Sequence, residues 1–459
     1  MNDAVHTPAS KPKADSRIAA PRLNVVRFEL DCGAVLLVDQ RPGASVTAIK
    51  LHLKGGHSLD PAGLEGLASL TGSLLDQGTK SRTEEQIAEV LEPKGGGIRG
   101  DANGLSGSIA GDAWKQLAGL IAEAVCEPSF PKDKFARQKE RLLDRLLIER
   151  DDHRTQAGRL FRRMVYGKHW MGRAVYGSLE SVVRITRKDV VAFHAKNWCP
   201  TRAAIAVCGD VDPETVRRFF NRRFKAWTSK RKLERADIRF PERASRCEAF
   251  YAKRQQVHVY LGHLGITRDN PHYSALVVMD HILGTGPGFS NRISRKLRDE
   301  QGLAYTVHAD VHSSAGVFPG MFTAYIGTSP EHIERATHGF LEEMKRIRDD
   351  LVEEHELELA VNYLLGSYAL GYERASRRTN FMISAERFGL PPNYLESLPD
   401  KFAAVTAHDV REAARACLFP DKPCFAVAGP VRKRDVEAIF AKLLGKQGSK
   451  RNRTTKARD

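Results

Sequence analysis

An internal repeat limits the folds that this chain of 459 residues can adopt. Residues 187–220 align with residues 407–440 at a constant offset and without a gap. Each copy reads as a helix, a proline break, an apolar strand, a glycine turn and a second helix. A repeat of this length predicts two homologous halves, each with its own core. The coinciding pairs include Asp189 and Asp409, Val190 and Val410, Pro200 and Pro420, Val207 and Val427, Gly209 and Gly429, and Phe220 and Phe440.

The order of elements predicts the fold class. In each half, strand patterns come first and helix patterns are grouped after them, which indicates an α+β fold with a mainly antiparallel sheet packed against helices. Low apolar content marks a linker between the halves. We expect a disordered tail at 1–21, a first domain at 22–227, a linker at 228–246, a second domain at 247–445 and a basic tail at 446–459.

Composition excludes some classes of protein. A hydrophobic content of 42% and a charged content of 28% are typical of globular proteins. No apolar run reaches the roughly 18 residues of a membrane helix, so we expect no transmembrane segment. The start of the chain lacks the apolar stretch of a signal peptide. This favours a cytoplasmic location, or a periplasmic one if a signal was removed.

The formal net charge of +16 raises the question of nucleic-acid binding. Six Lys and Arg residues lie in the basic tail at 446–459, and the Arg-rich segment 132–163 is interleaved with acidic residues. Interleaved charges indicate an ion-paired, solvated helix face more often than a phosphate-binding track. Nucleic acid is therefore an unlikely partner.

The sequence GGGIRG at 95–100 matches the GxGxxG pattern of dinucleotide-binding loops. Such a loop follows a strand and opens a helix, whose N-terminal amides bind the pyrophosphate. Here a helix pattern precedes the glycines and a strand pattern follows them. The segment is better interpreted as a turn into a strand with little side-chain bulk.

The sequence HADVH at 308–312 has the histidine spacing that binds zinc on a helix. The surrounding residues alternate and are β-branched, which predicts a strand. Neighbours on one face of a strand are roughly 7 Å apart and rarely converge on one metal ion. We interpret this stretch as a hydrated or cavity-lining strand face.

The stretch at 66–79, GLASLTGSLLDQGT, reads as an amphipathic helix with one unusual face. Ser69, Gly72, Ser73 and Asp76 make a stripe that is almost without side chains. Glycine and serine cost roughly 0.5 to 1 kcal/mol each in a helix relative to alanine, so this face needs a reason. No GxSxG motif or neighbouring base accompanies the serines, which are therefore predicted to pack and not to act as nucleophiles.

The segment RISRKLRDEQGLAYTV at 292–307 predicts a basic helix that ends at a glycine, followed by a strand that begins with Tyr305. One interpretation is a helix C-cap with Arg298 placed favourably near the helix C-terminus. The other is that Arg298 and Tyr305 point at a common ligand. Spacing alone does not decide between them.

Over residues 22–445 the chain resembles the pitrilysin/insulinase-type metallopeptidases, the inverzincins. The segment from Gly55, GGHSLDPAGLEGLASLTGSLLDQGTKS, is similar to the first active-site helix of that family. The segment from Gly284, GTGPGFSNRISRKLRDEQGLAY, is similar to the part that contributes a substrate-binding Arg and Tyr. The resemblance implies two α+β halves per chain, with two chains closing around a peptide chamber.

In active members of the family the first helix carries HxxEH, with two zinc-binding histidines and a glutamate base. In this chain the matching positions are Ser69, Gly72 and Ser73. The family's third ligand is a glutamate on a later helix, where this chain has Arg145, with Glu149 nearby. The resemblance therefore implies a degenerate zinc motif, with no metal and no other cofactor in this chain.

Arg298 and Tyr305 do match the family's pair. This division resembles the two-chain bacterial members, in which a zinc-free chain supplies the pair to a homologous HxxEH-bearing partner. The resemblance thus implies a heterodimer, a peptide substrate, and zinc in the partner chain. Peptide would also pair with the strand at Gly96, Gly97, Ile98 and Arg99, although Arg99 and Gly100 depart from the family's Asn-containing pattern there.

Two functions remain open at this point. The first is a substrate-binding subunit that supports peptide hydrolysis at a partner's zinc site. The alternative is a catalytically inactive scaffold homologue that resembles the respiratory-complex core proteins.

Overall fold

The computed structural model describes residues 22–229, 239–253, 255–286 and 291–445. The predicted tails at 1–21 and 446–459, and part of the predicted linker at 228–246, lie outside these residues.

The first half builds a six-stranded sheet with the order β1-β2-β6-β3-β5-β4. β2 and β6 run parallel, and the other neighbouring pairs are antiparallel. The strands are β1 (Val25–Glu29), β2 (Val35–Gln40), β3 (Val46–Leu53), β4 (Gly97–Asp101), β5 (Gly104–Ala110) and β6 (Ala203–Gly209).

The second half builds a five-stranded sheet with the order β7-β11-β8-β10-β9. Here β7 and β11 form the parallel pair. The strands are β7 (Arg246–Tyr251), β8 (Val257–Leu264), β9 (Val307–Asp310), β10 (Met321–Thr328) and β11 (Cys424–Gly429). Each sheet is thus mainly antiparallel, as predicted.

Helices and strands alternate in both halves, and most helices come after the first strands. Those of the first half are α1 (Leu67–Gly72), α2 (Glu84–Leu91), α3 (Trp114–Cys126), α4 (Lys132–Asp151), α5 (His153–Tyr166), α6 (Leu179–Arg184), α7 (Arg187–Asn197) and α8 (Pro213–Arg223). Those of the second are α9 (Tyr273–Asp280), α10 (Ile333–Asp349), α11 (Glu354–Gly371), α12 (Ala375–Phe388), α13 (Tyr394–Ala403), α14 (Ala407–Cys417) and α15 (Lys433–Leu443). Among the described residues, none of these helices combines the length and the apolar character needed to cross a membrane.

The repeat seen in the sequence is a repeat in the structure. Helices α7 and α14 correspond along their whole lengths, as do α8 and α15, and β6 corresponds to β11. Even the helix starts agree, because Thr186 and Thr406 each form a capping box with an aspartate three residues on. The predicted α+β fold with two homologous halves is confirmed.

The two halves exchange one helix each. Helix α5 of the first half packs on β7, β8 and β11, while α12 of the second half packs on β2, β3 and β6. Buried Phe161 of α5 joins Met321 and Ala426 of the second sheet in one apolar cluster. Buried Met382 of α12 joins Leu37 in another. The halves are therefore held together by reciprocal helix packing.

A buried ion pair fastens α12 to the first sheet. The Arg378 guanidinium donates to the Asp39 carboxylate at 2.6 Å, and the two side chains are 8% and 1% exposed. Arg378 also donates to the carbonyl oxygens of Tyr372 and Arg22, so most of its donors are used inside the protein. Removing the cation would leave a buried carboxylate without its countercharge.

We predict that Arg378→Met lowers the free energy of unfolding by about 3–5 kcal/mol, the usual effect of breaking a buried ion pair by removing one partner. The control is Arg27→Met. Arg27 also joins α12, through Glu386, but its side chain is 51% exposed, so its loss is expected to cost less than about 1 kcal/mol. Urea denaturation measures both changes, and equal losses in the two variants would contradict the assignment.

Candidate functional site

Helix α1 carries the predicted degenerate zinc motif, and it is short and fully buried. All residues from Leu67 to Gly72 are buried. The Asp60 carboxylate accepts hydrogen bonds from the backbone N–H groups of Gly66 (2.9 Å) and Ala68 (2.7 Å), which stabilises the helix start. The predicted helix over 66–79 is too long, because the chain leaves the helix at Ser73 and continues as turns.

The bare face of α1 packs against the backbone of strand β4. A Cβ atom on Gly72 would lie 1.9 Å from the carbonyl oxygen of Asp101. A Cβ atom on Gly100 would lie 2.0 Å from the carbonyl oxygen of Gly72. The two glycines are thus required by the close approach of helix and strand. A glutamate, the family's base at this position, does not fit at residue 72.

The two serines of the motif donate hydrogen bonds to backbone carbonyl groups. The Ser69 hydroxyl donates to the carbonyl oxygen of Val175 at 2.7 Å, and the Ser73 hydroxyl donates to that of Leu70 at 3.0 Å. Within the described residues, no group of three His, Cys, Asp or Glu side chains is placed to hold a metal ion. The donor set at α1 therefore does not fit zinc.

Arg145 occupies the neighbourhood of the family's third ligand. Its Nε donates to Glu149 at 2.8 Å, and its guanidinium carbon lies 3.6 Å from the ring centroid of Tyr176. Arg159 donates to the other oxygen of the same Glu149 carboxylate. Because two arginines bind the Glu149 carboxylate, this acidic side chain beside Arg145 is already held in ion pairs.

We predict that Gly72→Ala destabilises the protein by about 1–3 kcal/mol, because the added methyl group must displace the β4 backbone. A matched control is Gly366→Ala in α11, where a Cβ atom meets nothing within 4 Å. Helix propensity alone should make that control neutral or more stable by up to about 1 kcal/mol. Thermal or urea unfolding distinguishes the two variants, and a neutral Gly72→Ala would show that the helix can move away from the strand.

Arg298 and Tyr305 lie together in the second half. Residues 294–300 form a π-helical turn, a rare geometry that often occurs at functional sites. The guanidinium carbon of Arg298 lies 5.1 Å from the ring centroid of Tyr305, within cation–π range. Tyr305 is 84% exposed and precedes strand β9, which begins at Val307 and not at the tyrosine as predicted.

An ion-pair network holds the segment that carries Arg298. Arg292 donates twice to Glu356 of α11, at 2.8 and 2.6 Å, and both side chains are nearly buried. Lys296 donates to Glu342 and Glu343 of α10. These partners lie 46 to 64 residues away in the sequence, so no local pattern indicated them.

The histidines of the HADVH stretch do not act together. His308 and Asp310 lie on β9, whereas His312 follows the strand and turns inward. Nδ1 of His312 donates to the fully buried carboxylate of Asp280 at 2.6 Å. That oxygen also accepts from the backbone N–H groups of Val311 and His312. The predicted common strand face is wrong for His312, which fixes the end of β9 to the end of α9.

This pair predicts a pH dependence. Burial alone would lower the pKa of His312, but the hydrogen bond from the ring to Asp280 and the Asp280 charge outweigh burial and raise it above 6.5. The stabilisation is therefore fully present below about pH 6.5 and is lost as the pH rises through the raised value. We expect the difference in unfolding free energy between wild type and His312→Gln to shrink above that pH. The exposed His338→Gln control on α10 should show no such trend in urea titrations.

Strand β4 provides an open sheet edge. It pairs with β5 on one side and lies last in the strand order, and Gly97, Arg99 and Asp101 are exposed. Gly96 precedes the strand and packs on Ile109. An edge strand presents backbone N–H and C=O groups that can pair with an added strand.

The sequence and the fold of this chain are similar to those of known proteins. Residues 184–364 match the family model of the Peptidase M16 inactive domain. The crystal structure of a peptidase M16 inactive domain from Pseudomonas fluorescens is 25% identical, with a TM-score of 0.83, and the match covers 89% of this chain and 99% of that chain. The predicted resemblance to the pitrilysin/insulinase-type (M16) peptidases is thus confirmed.

Two further comparisons are informative. An uncharacterized zinc protease of Streptomyces coelicolor is 23% identical over 463 residues, which cover 96% of this chain and 99% of the relative. A chain of Complex III2 from Candida albicans has the same fold, with a TM-score of 0.73 at 15% identity, covering 91% of this chain and 99% of that one. The sequence of this chain is thus similar to that of a protein named as a zinc protease, and its fold occurs in a respiratory complex.

Proposed function

We propose that this chain is the zinc-free, substrate-binding subunit of a two-chain M16 peptidase, supporting peptide hydrolysis at a partner chain's zinc site. The observation that carries the proposal is a contrast. The backbone contact at Gly72 excludes the family's base from this chain, while Arg298 and Tyr305 stand together at the surface. A chain that had lost every catalytic role would not need an exposed phenol held beside a guanidinium.

The proposal assigns binding roles to this pair. Tyr305 is 84% exposed, and its hydroxyl can donate a hydrogen bond to a developing oxyanion on a bound peptide. The Arg298 guanidinium can hold a substrate carbonyl beside it. Zinc held by the HxxEH-bearing partner would activate the attacking water.

The open edge of β4 supports a peptide substrate. An extended peptide can add to such an edge through main-chain hydrogen bonds, with its side chains alternating between the two faces of the sheet. Gly97, Ile98 and Arg99 lie in this strand, and Gly97 and Arg99 are exposed.

We predict that Arg298→Ala and Tyr305→Phe each lower the turnover of the assembled two-chain peptidase by about 10²- to 10³-fold, the usual loss for one oxyanion donor. The purified chain is mixed with an HxxEH-bearing homologue, and cleavage of a fluorogenic peptide is measured together with assembly by gel filtration. Tyr251→Phe is the matched control, since that tyrosine is also exposed but lies on β7. Unchanged turnover in both site variants would remove the pair from the mechanism.

The alternative is a structural subunit without a catalytic role, favoured by the likeness to the Complex III2 chain. The same assay separates the two functions. Assembly with a partner whose peptidase activity does not depend on this chain would support the structural role and overturn the peptidase proposal.

A further inference from the structure

The face of the first sheet that receives α12 is only partly covered. Helix α12 packs mainly on β2, β3 and β6, while Ser106 and Ser108 of β5 and Arg99 of β4 are exposed on that face. Lys50 of β3 is paired with Ser106 of β5, which is paired with Arg99 of β4. Directly paired residues point to the same face, so these three side chains form one row. The backbones of Lys50 and Arg99 are two strand spacings apart, roughly 10 Å.

The floor between these two cations consists of small residues. Ser106 and Ser108 on β5 are exposed, and Gly97 on β4 pairs with Ser108 one row further along. Small side chains leave a shallow trough beside the open edge of the sheet. The trough is bounded by α12 on one side and opens at the edge strand β4 on the other.

Four cations surround the trough, and we call them the cationic face: Lys50, Lys54, Arg99 and Arg387. Within the described part of the chain none of them forms an ion pair, and Lys50 donates instead to the Asn380 side-chain oxygen at 2.6 Å. Asp101 is the acidic group that acts on Lys50. Burial nevertheless lowers the pKa of Lys50, and the charge of Arg387 adds to that effect.

A buried histidine lies beside these cations. His52 lies on β3 two residues after Lys50 and is 7% exposed. Burial, followed by the charges of Arg387, Lys50 and Lys54, lowers the pKa of His52 to about 3. Of the acidic groups nearby, Glu386 interacts with Lys54 but is already paired with Arg27, and Asp101 interacts with Lys50, so none of the four cations has an ion-pair partner among the described residues.

We propose that the cationic face binds acidic side chains of an extended peptide that is added to the edge of β4. A strand added there lies one strand spacing, roughly 5 Å, from Arg99, and every second side chain of the peptide points to the same face as Arg99 and Lys50. Carboxylates at those positions would supply the missing countercharge. This inference rests on the peptide-binding part of the proposed function and adds the substrate class: peptides with acidic residues at alternate positions.

The experiment compares two fluorescent peptides that differ only in Glu against Gln at alternate positions, using anisotropy with the full chain. We expect the acidic peptide to bind at least about tenfold more tightly at low salt, with the advantage shrinking as ionic strength rises. Arg99→Gln and Lys50→Gln should each remove most of that advantage, measured as the ratio of the affinities for the acidic and the neutral peptide. Lys188→Gln on α7, which removes an exposed charge elsewhere, should change neither affinity.

The outcomes separate this inference from the proposed function. Equal binding of both peptides, or an acidic preference that survives Arg99→Gln, overturns the inference and leaves the role of Arg298 and Tyr305 to the turnover assay. Failure of both peptides to bind overturns the inference together with peptide binding at β4. Tighter, Arg99-dependent binding of a single-stranded oligonucleotide would assign the face to a different ligand class and also overturn it.

Discussion

Helix α1 and strand β4 meet through backbone atoms, and this contact determines what the first half can do. At Gly72 and Gly100 there is no room for even a methyl group on either side. The contact packs the helix tightly against the strand at the sheet edge. As a result, residue 72 cannot carry a functional side chain. The bare face of the helix is thus explained by packing, and the same packing excludes a base at this position.

The second half contains a similar close contact between a glycine and an edge strand, but different side chains surround it. A Cβ atom on Gly284 would lie 2.5 Å from backbone atoms of Ala309 on β9, the edge strand of the second sheet. A glycine near a helix end therefore lies against the edge strand in both halves. In the second half, however, the chain that follows forms the π-helical turn with Arg298 and then leads to Tyr305. The internal repeat thus provides one backbone arrangement, and the two halves differ in the side chains built around it.

Much of the fold could be predicted from the sequence, because its signals are local or periodic. The repeat at 187–220 and 407–440 correctly paired α7 with α14 and β6 with β11. The length of α1 was predicted wrongly, since the apolar stripe continues through turns whose hydrogen bonds, such as Leu75 N–H to the Gly72 carbonyl, are no longer α-helical. Contacts between distant residues had no local signal. Asp280 and His312 are 32 residues apart, and Asp39 and Arg378 are 339 apart.

The candidate site, like the fold, could be predicted from the sequence only in part. The spacing of Arg298 and Tyr305 left open whether the two side chains meet, and the structure places the Arg298 guanidinium carbon 5.1 Å from the Tyr305 ring centroid. It did not reveal the cationic face, because that surface is assembled from β3, from β4 and from a helix of the other half. Helix exchange is what brings Arg387 near Lys50 and His52, so the local charge of the first sheet depends on the second half of the chain. A ligand-binding surface made in this way requires both halves to be folded, which links the integrity of the whole chain to any peptide that binds at β4.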